Sequence, residues 1–268
     1  MKGTLIDNNS SNLTIVFQSA GRISIELFDK ILEGKALNSE VKQAHEKYTW
    51  FKFSKDNYSD YYYIEDYYSE SYGWYMFDKG RSIFEEINQD ITELIKNRNY
   101  INVTTYGSSK GGTAALLFGL INPLINNVFS LVPQIHVIKY IDKKLPKYKK
   151  LFFPEENKEI ENYFEEIFFN EDLYLENNIK NTNLFFYTGI NDEQFDDLLK
   201  LFHLLEKKNI NNNIIINSSF KKHNDIVMDN VPFIKSALKI ITLQKIMQGP
   251  RLRRITSNVL LLKDKYKY

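Results

Sequence analysis

Ser109 stands in the frame Gly-x-Ser-x-Gly, where a serine is a candidate nucleophile. The run before it, residues 101–106, is β-branched and aromatic as in a strand, and the run after it, residues 113–118, contains good helix formers. Glycines on both sides let such a strand-to-helix turn close tightly. The following helix directs the backbone N–H of Lys110 at the site, where it stabilises negative charge. The pattern predicts a nucleophile elbow with Lys110 as an oxyanion donor.

Two other interpretations of this segment are weaker. A plain surface turn is disfavoured by the strand-like and helix-like flanks. A phosphate-binding loop has its lysine after the last glycine and before Ser or Thr, whereas Lys110 precedes Gly111 and Gly112. The nucleophile interpretation therefore leads.

A nucleophilic serine needs a general base, and in α/β-hydrolases an acid and then a histidine follow the serine along the chain. The chain has four histidines. His45 and His136 come before the expected acid, and His203 falls within a helical stretch. His223 lies in a polar turn after the last predicted strand of the sheet. His223 is therefore the predicted base.

The orienting acid is expected in the turn Gly-Ile-Asn-Asp-Glu, residues 189–193, which follows a predicted strand. Asp192 is our choice, because a carboxylate there would accept the Nδ1 hydrogen of His223 and fix its tautomer. Glu193 is the nearest substitute. Weaker alternatives are Asp196, Asp197 and Asp225.

A second oxyanion donor is expected from the loop after an early strand. Small residues follow Phe17 at this point, and the backbone N–H of Ser19 or Ala20 would approach the substrate. Removing one such donor typically costs about 10²- to 10³-fold in rate. We predict Ser19 as the second donor.

Short apolar runs alternate with amphipathic ones along the chain, as in a parallel sheet connected by helices. This alternation of strand-like and helix-like runs stops at residues 134–182, which we interpret as a helical cap. The predicted strands are residues 13–17, 48–53, 101–106, 127–132, 183–188 and 213–217. The predicted helices include residues 82–96, 196–207 and 232–247.

The amino-acid composition excludes several classes of protein and of functional site. With 268 residues, 43% of them hydrophobic, the chain can bury one sizeable core. A net charge of +1 argues against nucleic acid as the main partner, and the absence of cysteine excludes thiolate nucleophiles and cysteine-bound zinc. We predict no metal site. The amino terminus has no signal-like apolar core, so a cytoplasmic protein is expected.

The segment 106–120, with Ser-Ser-Lys-Gly-Gly at its elbow, resembles serine-dependent O-acetyltransferases of bacterial capsule polysaccharide biosynthesis. More distantly, it is similar to accessory secretion proteins. The resemblance extends to the early strand, the Gly-x-Asn-Asp turn and a histidine followed two residues later by aspartate, over about residues 10 to 240.

The resemblance implies an α/β-hydrolase fold, in which helices flank a mainly parallel sheet and a helical cap is inserted. It also implies that Ser109, Asp192 and His223 form a catalytic triad. It further implies transfer of an acetyl group from acetyl-CoA to a hydroxyl of a polysaccharide through an acyl-serine. A serine esterase and a non-catalytic component of a secretion or glycosylation complex are the alternatives. A homo-oligomer and peripheral association with capsule export machinery at the inner membrane face stay open.

Residues 1–248 would form the catalytic domain and residues 249–268 a basic extension without a counterpart in that family. The extension would be solvated, with packing on a second subunit or on an anionic membrane as alternatives. The aromatic residues between 58 and 77 are candidates for stacking on sugar rings; they are Tyr61, Tyr62, Tyr63, Tyr67, Tyr68 and Trp74.

Overall fold

The computed structural model describes residues 2–20, 23–175, 181–243, 252–254 and 259–263. Its centre is a nine-stranded sheet beside a separate two-stranded ribbon, β4 with β5. The strands are β1 (Gly3–Ile6), β2 (Asn12–Phe17), β3 (Asp60–Ile64), β4 (Phe77–Asp78), β5 (Arg81–Ser82), β6 (Asn102–Ser108), β7 (Asn127–Leu131), β8 (Asn183–Gly189), β9 (Asn212–Asn217), β10 (Leu252–Arg254) and β11 (Val259–Lys263).

The order of strands in the main sheet is β1-β3-β2-β6-β7-β8-β9-β11-β10. The six strands from β3 to β9 in this order are parallel, and β1, β11 and β10 are antiparallel to their neighbours. The helices are α1 (Ile25–Leu32), α2 (Asn38–His45), α3 (Phe84–Asn97), α4 (Lys110–Ile121), α5 (Val137–Lys144), α6 (Lys149–Phe152), α7 (Lys158–Glu165), α8 (Asp172–Leu175), α9 (Phe195–Lys207), α10 (His223–Met228) and α11 (Val231–Thr242).

Alternate side chains of the strands pack into two cores, one on each face of the sheet. Leu13, Ile15 and Phe17 of β2 belong to a core that includes α3, α4 and α9. Val16 belongs to the other core, which includes α10 and α11. Both faces of the parallel strands are therefore covered, as the apolar runs of β2, β8 and β9 require.

The predicted strand at residues 48–53 is wrong. Trp50 has a left-handed backbone, with φ of 63°, and it caps a short 3₁₀ helix, Phe51–Lys55. The strand of this region is β3, a few residues later, whose sequence is equally aromatic. The two aromatic runs are alike in composition, and the turn at Trp50 decides between them. The other five predicted strands all have counterparts in the sheet.

The sugar-stacking expectation is wrong for part of the aromatic segment. Tyr61 and Tyr63 are buried in β3, and Trp74 is buried among Tyr72, Phe77 and Phe152. These rings belong to the cores. Tyr62, Tyr67 and Tyr68 are only partly buried.

Two regions lie outside the alternation of strands and helices. Between β7 and β8, the described residues form α5, α6, α7 and α8 with short 3₁₀ turns. After α11, the described part of the carboxyl-terminal extension forms β10 and β11, and β11 pairs with β9. The sequence analysis did not predict these two strands, and Arg251 lies outside the described residues. No helix in the described part of the chain has the length and apolarity needed to cross a bilayer.

Candidate active site

The parallel strands end at one edge of the sheet, and the loops that follow β2, β6, β7 and β9 surround a cavity of about 630 Å³. Ser19, Ser108, Ser109 and His223 line this cavity with polar groups. Its remaining wall is mainly apolar and aromatic and includes Trp50, Tyr72, Val132, Tyr140 and Met228.

Ser109 caps the amino end of α4 and has a left-handed backbone, with φ of 54° and ψ of −121°. Its N–H donates to Leu131 O at 2.9 Å, which helps hold this strained conformation. A Cβ at Gly107 would lie 2.3 Å from Gly111 O, and one at Gly111 would lie 2.4 Å from Phe17 O. Only glycine fits at either position, so the close turn depends on both.

His223 is the first residue of α10, and its Nδ1 lies 2.7 Å from Asp192 Oδ2. The Asp192 side chain is fully buried, and its Oδ1 accepts a hydrogen bond from the N–H of Gln194 at 2.9 Å. Asp192 therefore holds one ring nitrogen of His223 while the imidazole stays 27% exposed.

The structure brings Ser109 and His223 to the same cavity, with no hydrogen bond between their side chains. In free enzymes such contacts are often loose and tighten only when substrate binds. Lys110 is the first residue of α4, where the first N–H groups have no partner within the helix. Its N–H therefore lies beside Ser109, as an oxyanion donor would.

The alternative acids have other partners or lie in solvent. Glu193 binds Lys143 and Lys144, whose hydrogen bonds lower its pKa to about 2. Asp197 binds Lys200, and Asp196 and Asp225 are exposed.

The remaining histidines are absent from the cavity lining. His45 is buried, with Nε2 2.6 Å from Ser71 O, and burial lowers its pKa to about 4. His203 is exposed beside Glu206. His136 Nδ1 lies 3.1 Å from Glu165 Oε1, and that carboxylate raises the pKa of His136.

The loop after β2 is fixed at two points. Ser19 Oγ lies 2.7 Å from Ser108 Oγ, and the N–H of Gln18 donates to the Tyr75 hydroxyl at 2.8 Å. Ser19 and Ala20 both line the cavity. The loop predicted to supply the second oxyanion donor therefore lies against the elbow.

Sequence reasoning missed several features of the site. Trp50 and Val132 line the cavity with left-handed backbones, and a β-branched residue such as Val132 rarely adopts one. The side chain of Lys110 is buried against Asp66, whereas the elbow pattern assigns a role only to its backbone N–H. One signal was in the sequence: a lysine between Ser109 and two glycines, at the start of a helix that is otherwise apolar.

Among the described residues, His136, Glu165 and Glu166 form the one group of side chains close enough together to hold a metal ion. None of the three lines the cavity. The His136–Glu165 ion pair accounts for their proximity.

No protein-family model matches the sequence, and no curated protein matches it significantly. Solved structures do match it. The capsule O-acetyltransferase of Neisseria meningitidis serogroup A superposes with a TM-score of 0.60 at 20% identity, over 87% of both chains. Its histidine-to-alanine variant, in complex with CoA, matches with a TM-score of 0.59 at 18% identity, over 90% of this chain and 89% of that one.

A hyperthermophilic esterase from Pyrobaculum calidifontis matches with a TM-score of 0.57 at 10% identity, over 88% of this chain and 78% of the esterase. The chain has the α/β-hydrolase fold. A third match is the Gap123 glycosylation-associated protein complex of Streptococcus agalactiae, with a TM-score of 0.58 at 15% identity, over 85% of this chain and 41% of that one. The predicted fold class is thereby confirmed.

Proposed function

We propose that this protein is a serine-dependent acyltransferase with Ser109 as nucleophile, His223 as general base and Asp192 as the acid that orients it. One observation carries the proposal. At the carboxyl edge of the sheet, the Asp192–His223 hydrogen bond lies at the cavity that also contains Ser109, held in a strained turn at a helix amino terminus. Strain of this kind persists where it serves the chemistry of a site.

In the first half-reaction, Ser109 Oγ attacks the carbonyl carbon of an acyl donor while His223 Nε2 takes its proton. The N–H groups of Lys110 and of the Ser19 loop stabilise the negative oxygen of the tetrahedral intermediate. The bond to the leaving group then breaks, His223 returns the proton to that group, and the acyl-serine remains. In the second half, His223 removes the proton of an acceptor hydroxyl, whose oxygen attacks the acyl carbon. The bond from that carbon to Ser109 Oγ then breaks, and His223 returns the proton to Oγ.

We propose acetyl-CoA as the donor and a sugar hydroxyl of a capsular or other surface polysaccharide as the acceptor. The elbow sequence Ser-Ser-Lys-Gly-Gly and the likeness to the capsule O-acetyltransferase of Neisseria support this choice. The apolar and aromatic wall of the cavity also suits a thioester and the flat faces of sugar rings. Because acetyl-CoA is an intracellular metabolite, the reaction would occur in the cytoplasm or at the inner face of the membrane.

A serine esterase is the second candidate. The imidazole of His223 is 27% exposed, so water can reach the base that would activate it for deacylation. The same triad would then hydrolyse the acyl-serine rather than transfer its acyl group.

Intact-protein mass spectrometry separates these functions. We expect wild-type protein mixed with acetyl-CoA to gain one acetyl group and to lose it faster when a capsular polysaccharide is added. Ser109→Ala should gain none, whereas Ser108→Ala, which removes a contact of the Ser19 loop but keeps the nucleophile, should still gain the acetyl group at a lower rate. Ser109-dependent cleavage of p-nitrophenyl acetate without transfer to the polysaccharide would favour the esterase. No Ser109-dependent adduct and no Ser109-dependent cleavage would contradict both.

A further inference from the structure

Lys110, the residue after the candidate nucleophile, has a fully buried side chain that the proposed reaction does not use. Its Nζ lies 2.5 Å from Asp66 Oδ2, and both side chains are almost inaccessible to solvent. The ammonium also lies 5.0 and 4.8 Å from the ring centroids of Tyr72 and Tyr75. A buried ion pair is expensive to desolvate and is weak evidence for a role in stability, so its place in the fold needs another explanation.

Asp66 connects this ion pair to a strained segment. Its other oxygen, Oδ1, accepts hydrogen bonds from the N–H groups of Gly73 at 3.0 Å and Tyr75 at 3.2 Å. Trp74 and Tyr75 have left-handed backbones, with φ of 53° and 59°. Large residues keep such a conformation only when their surroundings hold it firmly. The carboxylate of Asp66 supplies that hold from inside the turn.

The strained segment in turn holds the loop predicted to supply an oxyanion donor. The Tyr75 hydroxyl donates to Ile64 O at 2.9 Å and accepts the N–H of Gln18 at 2.8 Å. Gln18 precedes Ser19, and its side chain binds His45. A continuous path of hydrogen bonds therefore runs from the Lys110 side chain to the backbone of the loop after β2.

Resting on the proposed function, we infer that Lys110 and Asp66 are positioning residues that set the distance between the two halves of the oxyanion hole. One half is the backbone N–H of Lys110, and the other is the loop at Ser19. The ion pair joins the helix that carries the first donor to the turn that holds the second. It contacts no reacting atom, so its effect is on the geometry that stabilises the tetrahedral intermediate.

A double-mutant cycle tests this inference. Lys110→Met and Asp66→Leu each leave one buried charge unpaired, whereas the combined variant has an apolar pair in its place, which commonly recovers stability. For each protein we would measure the melting temperature, kcat and KM for p-nitrophenyl acetate, and the affinity for a boronic acid that forms a tetrahedral adduct on the serine.

We expect each single variant to lower kcat at least about tenfold with little change in KM, and to weaken boronate binding by a similar factor. The combined variant should recover part of the lost melting temperature, because no buried charge is left unpaired, but not kcat, because leucine cannot bind the N–H groups of Gly73 and Tyr75. Asp66→Asn keeps an acceptor for those groups and should be partly active. Glu161→Gln, which breaks the partly buried ion pair with Lys149 away from the cavity, should change stability alone.

Recovery of both stability and kcat in the combined variant would show a merely structural role and overturn the inference. So would single variants with normal kcat. If the single variants do not fold, the combined variant and Asp66→Asn decide the question by the same criteria. A wild type that neither cleaves p-nitrophenyl acetate nor gains an acetyl group from acetyl-CoA would overturn the proposed function as well, whereas an active wild type with fully active variants overturns this inference alone.

Discussion

Polar side chains at the two ends of the parallel strands have different surroundings. At the amino ends, asparagines bind one another across the strands: Asn127 donates to Asn102 Oδ1 at 3.1 Å, and Asn183 donates to Asn127 Oδ1 at 3.1 Å. At the carboxyl ends, Ser109 and His223 line a cavity. At one edge asparagine side chains pair with one another, and at the other edge Ser109 and His223 face a space for a ligand.

The costlier backbone conformations lie at the carboxyl ends, beside the cavity. Ser109, Val132 and Trp50 all line the cavity and all have left-handed backbones. Asn9, Asn99 and Asn209, in the turns before β2, β6 and β9, also have positive φ, but asparagine tolerates this conformation far better than a bulky or β-branched residue does. Costly backbone conformations therefore lie beside the polar groups that face the cavity, whereas the asparagine pairs at the amino ends stabilise the sheet.

The largest effect is expected from Ser109→Ala, at the carboxyl end. Loss of the nucleophile should reduce turnover of p-nitrophenyl acetate by about 10³-fold or more, because the acyl-serine cannot form. The melting temperature should change little. An esterase assay alongside thermal unfolding checks both, and a variant with more than a tenth of wild-type activity would remove Ser109 from the reaction.

Asp192→Asn should have the next largest effect. The amide keeps the size of the side chain but no longer favours the tautomer and charge that His223 needs, so kcat should fall about 10²- to 10⁴-fold. Steady-state kinetics across pH measure this loss. Glu193→Gln removes the neighbouring carboxylate, which pairs with Lys143 and Lys144, and should leave kcat within about twofold. A large loss of kcat in Glu193→Gln would instead assign the orienting acid to Glu193.

At the amino ends, Asn127→Leu should affect stability instead of activity. It removes the hydrogen bonds from Asn127 Nδ2 to Asn102 Oδ1 and from Asn183 Nδ2 to Asn127 Oδ1, which should cost about 1–3 kcal/mol in the free energy of unfolding. Urea unfolding measures the cost, with Asn211→Ala, at the exposed end of the same row, as a control expected within about 0.5 kcal/mol. If Asn127→Leu lost kcat without losing stability, the proposed difference between the two ends would be wrong.

The smallest effect concerns His136, which caps the amino end of α5 outside the cavity lining. Glu165 raises the pKa of His136 in the folded protein above the ordinary 6.5. The protonated imidazole therefore adds stability that is fully present below pH 6.5 and is lost as pH rises through the folded pKa. Melting temperatures across this range should fall more steeply in wild type than in His136→Gln, with His203→Gln as the exposed control. Parallel curves for wild type and His136→Gln would contradict the shift.

Much of the candidate site could be predicted, because its residues are marked by a local sequence pattern or by their order along the chain. The elbow has a signature within five residues, and the positions of Asp192 and His223 follow from the order of elements. The Lys110–Asp66 pair could not be predicted, since 44 residues separate the partners and the chain offers 34 acidic side chains. The same holds for the turn at Trp50, because a left-handed aromatic residue has no local signal that distinguishes it from one in a strand.

The central claim is that Ser109 is an activated nucleophile, and labelling with a fluorophosphonate followed by peptide mapping tests it most directly. We expect one label per chain on Ser109, lost in Ser109→Ala, strongly slowed in His223→Ala and still formed on Ser109, at a lower rate, in Ser108→Ala. A label on Ser108, or equal labelling of wild type and His223→Ala, would contradict it.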